Sequence, residues 1–200
     1  MYKETLRTVI SSIWPSLLIL ITILFSIRYF SITSNNKKIV FYREIMYLIF
    51  VVYLMCFFYV LTFEDVDWST ANLIPFKEMF RYKVGSKMFL KNVCGNIILF
   101  IPYGFFVAYF TQIKKVKTIT ILSLLVSLAV ETIQYRIGRV FDIDDIFLNI
   151  IGGILGYYFY RLLTSLLNKT SLKKYKETLC NVGMILIMII VLLYMGVWNE

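Results

Sequence analysis

The sequence contains no histidine. That absence excludes imidazole base catalysis and every metal site that depends on a His ligand. Cysteine is scarce. Cys56, Cys94 and Cys180 are odd in number, sit in or beside apolar runs and have no metal-site spacing, so they read as small buried hydrophobes and not as a disulfide framework. Charge is sparse too, at 16% of residues, where a soluble domain carries about a quarter. With nine glycines and three prolines, the chain is neither collagen-like nor a proline-rich disordered segment.

Apolar residues are abundant, at 60% of 200 residues, with a mean hydropathy of +0.76. No soluble core of this size could hide that excess, which excludes a soluble enzyme. The 17 Phe, 15 Tyr and 3 Trp suit a membrane protein, where Tyr and Trp anchor at the two interfaces.

A membrane span needs about 20 mostly apolar residues. Six stretches qualify: Ile13–Phe30, Ile45–Phe63, Val93–Phe110, Ile119–Tyr135, Ile146–Leu166 and Leu179–Trp198. They are long continuous runs without the alternation of barrel strands, so all are expected to be helices. The first run is not followed by a small-residue cleavage signature and reads as an uncleaved span. Between spans two and three, Phe76–Asn92 carries Phe76, Met79, Phe80 and Val84 near one face and Lys77 and Arg81 on another. That pattern suits a short helix in the membrane interface, a re-entrant lid or an ordinary connector. The expected fold is therefore all-α, a polytopic transmembrane helix bundle of six spans with an interfacial amphipathic segment. Its expected divisions are residues 1–63 (two N-terminal spans), 64–166 (the interfacial segment plus three spans) and 167–200 (a basic cytoplasmic loop and the C-terminal span).

Loops between spans one and two, three and four, and five and six carry twelve of the 21 Lys and Arg, against nine on the other side. The positive-inside rule then predicts those loops in the cytoplasm and both termini outside. The net charge of +9 is explained by lysines flanking spans beside anionic lipid, without nucleic acid.

The informative chemistry lies in spans three to five. Asn92 and Asn96 are a turn apart at the start of span three. Ser123, Ser127, Glu131 and Gln134 follow one helical face to the end of span four, and Asp145, Asn149, Gly152 and Gly156 do the same from the start of span five. Those three helix ends share one membrane surface, so three polar faces converge there. A carboxylate within a span is costly and needs partners. Arg136, Arg139, Gln134, Asn96 and Asn149 are the candidates. Either the set forms a polar cavity that holds a headgroup, or it only pins three helices together. Asp142 and Asp144 suit capping of the fifth span, whereas Asp145 shares the Asn149 face. Gly152 and Gly156 suit close helix packing. Pro102 leaves the Ile98 carbonyl without its helical donor and is expected to kink span three beside Gly104. Asn72 and Pro75 look like turn residues, with an edge contact to the cavity open to both.

These residues form a recognisable set. Asn72-Leu-Ile-Pro-Phe76, Gly95-Asn96-Ile-Ile-Leu-Phe-Ile-Pro102-Tyr-Gly104, Glu131-Thr-Ile-Gln134 and Arg139-Val-Phe-Asp142-Ile-Asp-Asp145-Ile-Phe-Leu-Asn149-Ile-Ile-Gly152 together resemble the VanZ family over about residues 64–165. The resemblance implies a bacterial membrane protein of a family whose namesake is associated with teicoplanin resistance. By match, the family's motif residues are Asn96, Pro102, Gly104, Glu131, Gln134, Arg139, Asp142, Asp145, Asn149 and Gly152.

Three functions are open on this reading. In the first, a non-enzymatic protein of the bacterial cell membrane binds or rearranges an envelope lipid headgroup through Asn96, Glu131, Gln134, Arg139, Asp142, Asp145 and Asn149. Arg139 would contact phosphate or carboxylate, and Glu131 and Asp145 would orient it or bind an ammonium group. No cofactor is expected. The expected partners are membrane lipids and a lipid-linked cell-wall precursor or a lipoglycopeptide. In the second, a Mg²⁺ ion held by Asp142, Asp144, Asp145 or Glu131 serves an integral-membrane enzyme acting on a lipid-linked phosphate. In the third, the protein is a structural scaffold.

Overall fold

The computed structural model describes residues 2–34, 40–62, 71–77, 79–168, 175 and 177–183. Nearly all of this is helix. α1 runs Tyr2–Ser34, α2 Phe41–Thr62, α3 Lys87–Phe89, α4 Gly95–Thr111, α5 Val116–Arg136 and α6 Ile143–Leu167. A wide π turn, Leu90–Cys94, joins α3 to α4, so one continuous apolar helix spans Lys87–Thr111.

Among the described residues, four helical stretches are long and apolar enough to cross a membrane: Phe41–Leu61, Lys87–Thr111, Val116–Arg136 and Ile143–Leu167. They correspond to the expected spans two to five. The first expected span falls inside α1, where Trp14–Phe30 is a shorter apolar stretch. The sixth, Leu179–Trp198, lies outside the described residues beyond position 183. The third span begins several residues earlier than its apolar run because Ser86 caps it, its side chain accepting the Phe89 N–H.

The chain divides into two compact units, residues 1–56 with 165–200, and Phe57–Thr164. Within the first, Arg28 grips Glu44 with two hydrogen bonds of 2.9 Å, and its guanidinium lies 5.0 Å from the Tyr47 ring centre. A two-pronged contact of this kind exploits the planar fork of Arg.

In the second unit, glycines set how closely the helices approach. A Cβ added at Gly152 would strike the Ile97 carbonyl, one at Gly156 the Ile101 carbonyl, and one at Gly104 the Gly153 carbonyl. These four glycines therefore bring α4 and α6 backbone to backbone. Gly153, which the sequence reading did not single out, does the same for Ser123 of α5. Small residues serve this purpose in membranes because lipid removes the hydrophobic drive and leaves van der Waals contact to hold helices together. α4 continues through Pro102 to Thr111. At its far end, Tyr157 and Tyr160 of α6 tie down the α4–α5 turn, their hydroxyls donating to the Lys114 carbonyl (2.8 Å) and the Gln112 side chain (3.0 Å).

The segment before α3 departs from the helix that its amphipathic pattern suggests. Turns and bends run through the described residues between Ile74 and Ser86, and helix begins only at Lys87. Phe76 has φ +66°, a left-handed conformation that a bulky side chain adopts only under tertiary constraint. The constraint is visible: a carboxylate from α6 takes the Phe76 N–H, and the Phe76 ring stacks on Phe147 at 5.8 Å.

Candidate functional site

α5 ends in a Schellman motif. The Gly138 N–H donates to the Tyr135 carbonyl (3.1 Å) and the Arg139 N–H to the Gln134 carbonyl (2.8 Å), with Gly138 at φ +93°. Glycine suits this position because it alone adopts the left-handed conformation without a Cβ penalty. The turn folds Arg139 back toward the helix it has just left. Two residues on, Phe141–Asp142 forms a short parallel bridge with Ala71–Asn72, which brings a segment from before span three against the start of α6.

Glu131, 1% exposed, is the centre of what results. Its Oε2 accepts the Asp142 N–H at 3.0 Å. Gln134 lies between it and Arg139: its Nε2 donates to Glu131 Oε1 at 3.1 Å, and its Oε1 accepts from Arg139 Nη1 at 2.9 Å, the amide orientation that satisfies both neighbours. Arg139 also donates to the Leu61 carbonyl at 3.3 Å. Asp142 caps α6, its Oδ1 accepting the Asp144 N–H (2.9 Å) and the Asn72 side-chain amide (3.0 Å). Asp145 takes a hydrogen bond from Asn96 and lies in the electrostatic field of Glu131, Asp142 and Arg139.

The sequence-derived residues Asn96, Glu131, Gln134, Arg139, Asp142 and Asp145 are thus gathered at one end of α4, α5 and α6. Asn149 sits a turn deeper on the Asp145 face, buried, where its Nδ2 donates to Ser127 Oγ at 2.9 Å. Two atoms in this deeper row, Asn149 Oδ1 and Ser123 Oγ, are buried with no partner. Arg136 is exposed at the helix end.

Two residues carry more than the sequence reading gave them. Asn72, a turn residue with an edge contact to the cavity open to it by sequence, is a buried partner of Asp142. Asp144, taken as a cap, is 1% exposed and reaches the preceding segment, where Oδ1 and Oδ2 accept the N–H groups of Phe76 (2.5 Å) and Met79 (3.1 Å). No signal in the sequence marks a partner 68 or 65 positions away. Gly138 does carry a sequence signal, since a glycine at the end of an apolar helix marks a C-cap.

The division of labour follows from these contacts. Glu131, Asp142 and Asp144 are braced by peptide and amide donors, which compensates their removal from water. Among the described residues, no group of three acidic or cysteine side chains is placed to hold a metal ion. Asp145, Arg139 and Asn96 are only half-buried. They offer one carboxyl, one guanidinium and one amide along a partly open edge, a set that can meet a hydrogen-bond donor and an oxyanion together.

The VanZ/LLP1 family profile matches residues 41–164. The chain belongs to the VanZ/LLP1 family. Protein VanZ of Enterococcus faecium is 28% identical over 155 residues, covering 74% of this chain and 88% of that relative. No solved structure matches. The family match contains every residue of the cluster, from Asn72 to Asn149, while the whole of α1 lies outside it. Membership agrees with the four apolar helices in making this a membrane protein of the VanZ/LLP1 family.

Proposed function

We propose that this VanZ/LLP1-family protein is a non-enzymatic, multi-pass protein of the bacterial cell membrane that seats an envelope lipid headgroup at the cluster around Glu131. The observation that carries the reading is the grouping of Arg139, Asp145 and Asn96, half-buried, over a fully braced acidic base. Arg139 presents its fork to phosphate or carboxylate, and Asp145 receives an ammonium. The Lys and Arg balance supports an extracytoplasmic position for this end, with both termini outside. Occupying or remodelling headgroups there makes the envelope less accessible to a lipoglycopeptide, so the protein lowers susceptibility to teicoplanin more than to vancomycin. A lipid-linked cell-wall precursor is the headgroup bearer of most consequence for that outcome.

The test is expression in a teicoplanin-susceptible bacterial host, with inhibitory concentrations of both drugs measured for wild type, Glu131→Gln and Asp145→Asn at equal membrane abundance. The wild type raises the teicoplanin value and both variants lose the rise. Variants that protect as well as wild type would remove the site from the mechanism. Loss of abundance or thermal stability without any separate loss of protection would reduce the cluster to a brace between helices.

A further inference from the structure

Residues Leu73–Leu90 combine two properties that water does not favour together. Their apolar side chains point outward: Phe80 is 84% exposed, Val84 79%, Leu73 65% and Ile74 61%. Their backbone is nonetheless served from within. Ile74 N–H donates to Asn72 Oδ1, Phe76 and Met79 N–H to Asp144, Lys77 N–H to the Ile74 carbonyl and Phe80 N–H to the Phe76 carbonyl. Pro75 has no N–H to satisfy. Non-helical backbone near hydrocarbon is tolerated only where the protein itself pairs its polar groups, and the described residues from Ile74 to Phe80 meet that demand, in large part through a buried carboxylate from α6. An aqueous loop has no such need, because water would solvate its peptides, and it would not expose so much apolar surface in one stretch.

The segment is also basic. Lys77, Arg81, Lys83 and Lys87 stand among these apolar side chains, and the segment runs into the continuous helix Lys87–Thr111, which is long and apolar enough to cross a membrane. A span there would hold the segment at the level of the membrane surface, with its exposed apolar side chains continuous with those of Met88, Leu90 and Ile98. We infer that Leu73–Leu90 is a lipid-inserted wedge, clasped to α6 by Asp144, with its aromatic and aliphatic side chains in the acyl boundary and its Lys and Arg on anionic headgroups. Such elements settle about 5–10 Å into the headgroup–acyl boundary. The partner is the bilayer surface and not a protein, because basic residues interleaved with aromatics match an anionic leaflet. This inference stands apart from the headgroup site around Glu131, since it uses the outward side chains of the segment and no residue offered to that ligand.

The experiment uses the full-length chain with Cys56, Cys94 and Cys180 replaced by Ser. A nitroxide is attached at Phe80→Cys or Val84→Cys, with Lys115→Cys in the α4–α5 turn as aqueous reference. Proteins are reconstituted in vesicles of phosphatidylcholine alone or with phosphatidylglycerol, and accessibility to oxygen and to a water-soluble nickel chelate is compared. Labels at 80 and 84 favour oxygen, read as buried below the phosphate level, and move deeper with phosphatidylglycerol. The Lys115 label favours nickel in both lipids. Chelate accessibility at 80 and 84 equal to that at 115 would overturn insertion, and equal depth in both lipids would overturn the anionic preference. Replacing Lys77, Arg81, Lys83 and Lys87 by Gln, which leaves the Asp144 contacts intact, abolishes the difference between lipids.

Discussion

Glu131 and Asp142 meet side chain to peptide: the Glu131 carboxylate accepts the Asp142 N–H at 3.0 Å. One carboxylate of α5 thereby fixes the residue that caps α6. Substitution at Glu131 separates this from its charge. Glu131→Gln keeps an oxygen for the Asp142 N–H but turns an amide toward Gln134, which must reorient and give up Arg139. Glu131→Ala leaves the buried N–H unpaired, at a cost of about 1–3 kcal/mol. Thermal unfolding in detergent should rank wild type above Gln and Gln above Ala. Equal midpoints for all three would show that the carboxylate braces nothing.

Asp144 holds the segment before α3 by two peptide N–H groups, those of Phe76 and Met79. Hydrogen bonds to a charged group contribute about 1.5–3 kcal/mol each. Asp144→Ala loses both and Asp144→Asn one. Trypsin has sites at Lys77, Arg81, Lys83 and Lys87, and cleavage of a segment that opens locally follows its opening free energy. In detergent, cleavage should therefore quicken by roughly a hundredfold or more for Asp144→Ala and by roughly tenfold or more for Asp144→Asn, since about 1.4 kcal/mol is tenfold. Unchanged rates would mean that the clasp is not what orders the segment.

The helical part of this arrangement was legible because period carries it. Ser123, Ser127, Glu131 and Gln134 fall on one face of α5 by spacing alone, and all four are buried. Asp145, Asn149, Gly152 and Gly156 do the same on α6, and chain connectivity puts the polar ends together. What was illegible depends on tertiary partners. The Asn72–Asp142 pair spans 70 positions through a bridge only two residues long, too short for any strand pattern. Phe76–Asn92 has helical amphipathicity, yet Asp144 and Phe147 impose a left-handed turn at Phe76, and local period loses to that constraint.

Glycine substitutions separate close packing from backbone conformation. Gly104→Ala and Gly156→Ala press a methyl into backbone carbonyls of the facing helix, which cannot rotate away as a side chain could. The helices must separate, at a cost of about 1–3 kcal/mol or more for overpacking. Gly85→Ala meets nothing within 4 Å but sits at φ +82°, and costs only about 1 kcal/mol of backbone strain. Monodisperse yield on size-exclusion chromatography should fall sharply for the first two and little for the third. A Gly104→Ala protein as stable as Gly85→Ala would mean that α4 and α6 do not approach as described.

Arg139 offers the sharpest contrast between structure and function. Its Nη1 faces both Gln134 Oε1 (2.9 Å) and the Leu61 carbonyl (3.3 Å), and a guanidinium can serve such partners while still presenting a fork to a ligand. Lys keeps the charge but offers one compact ammonium on a flexible stem. Committed to Gln134, it has no second prong for an oxyanion. Arg139→Lys should therefore unfold within about 1–2 kcal/mol of wild type, the cost of one lost hydrogen bond, and yet lose most of the teicoplanin protection. Arg139→Gln, able to bond its neighbours but uncharged, should lose all of it. Full protection by the Lys variant at equal abundance would leave Arg139 a charge in the network and assign recognition of the headgroup to Asp145 and Asn96.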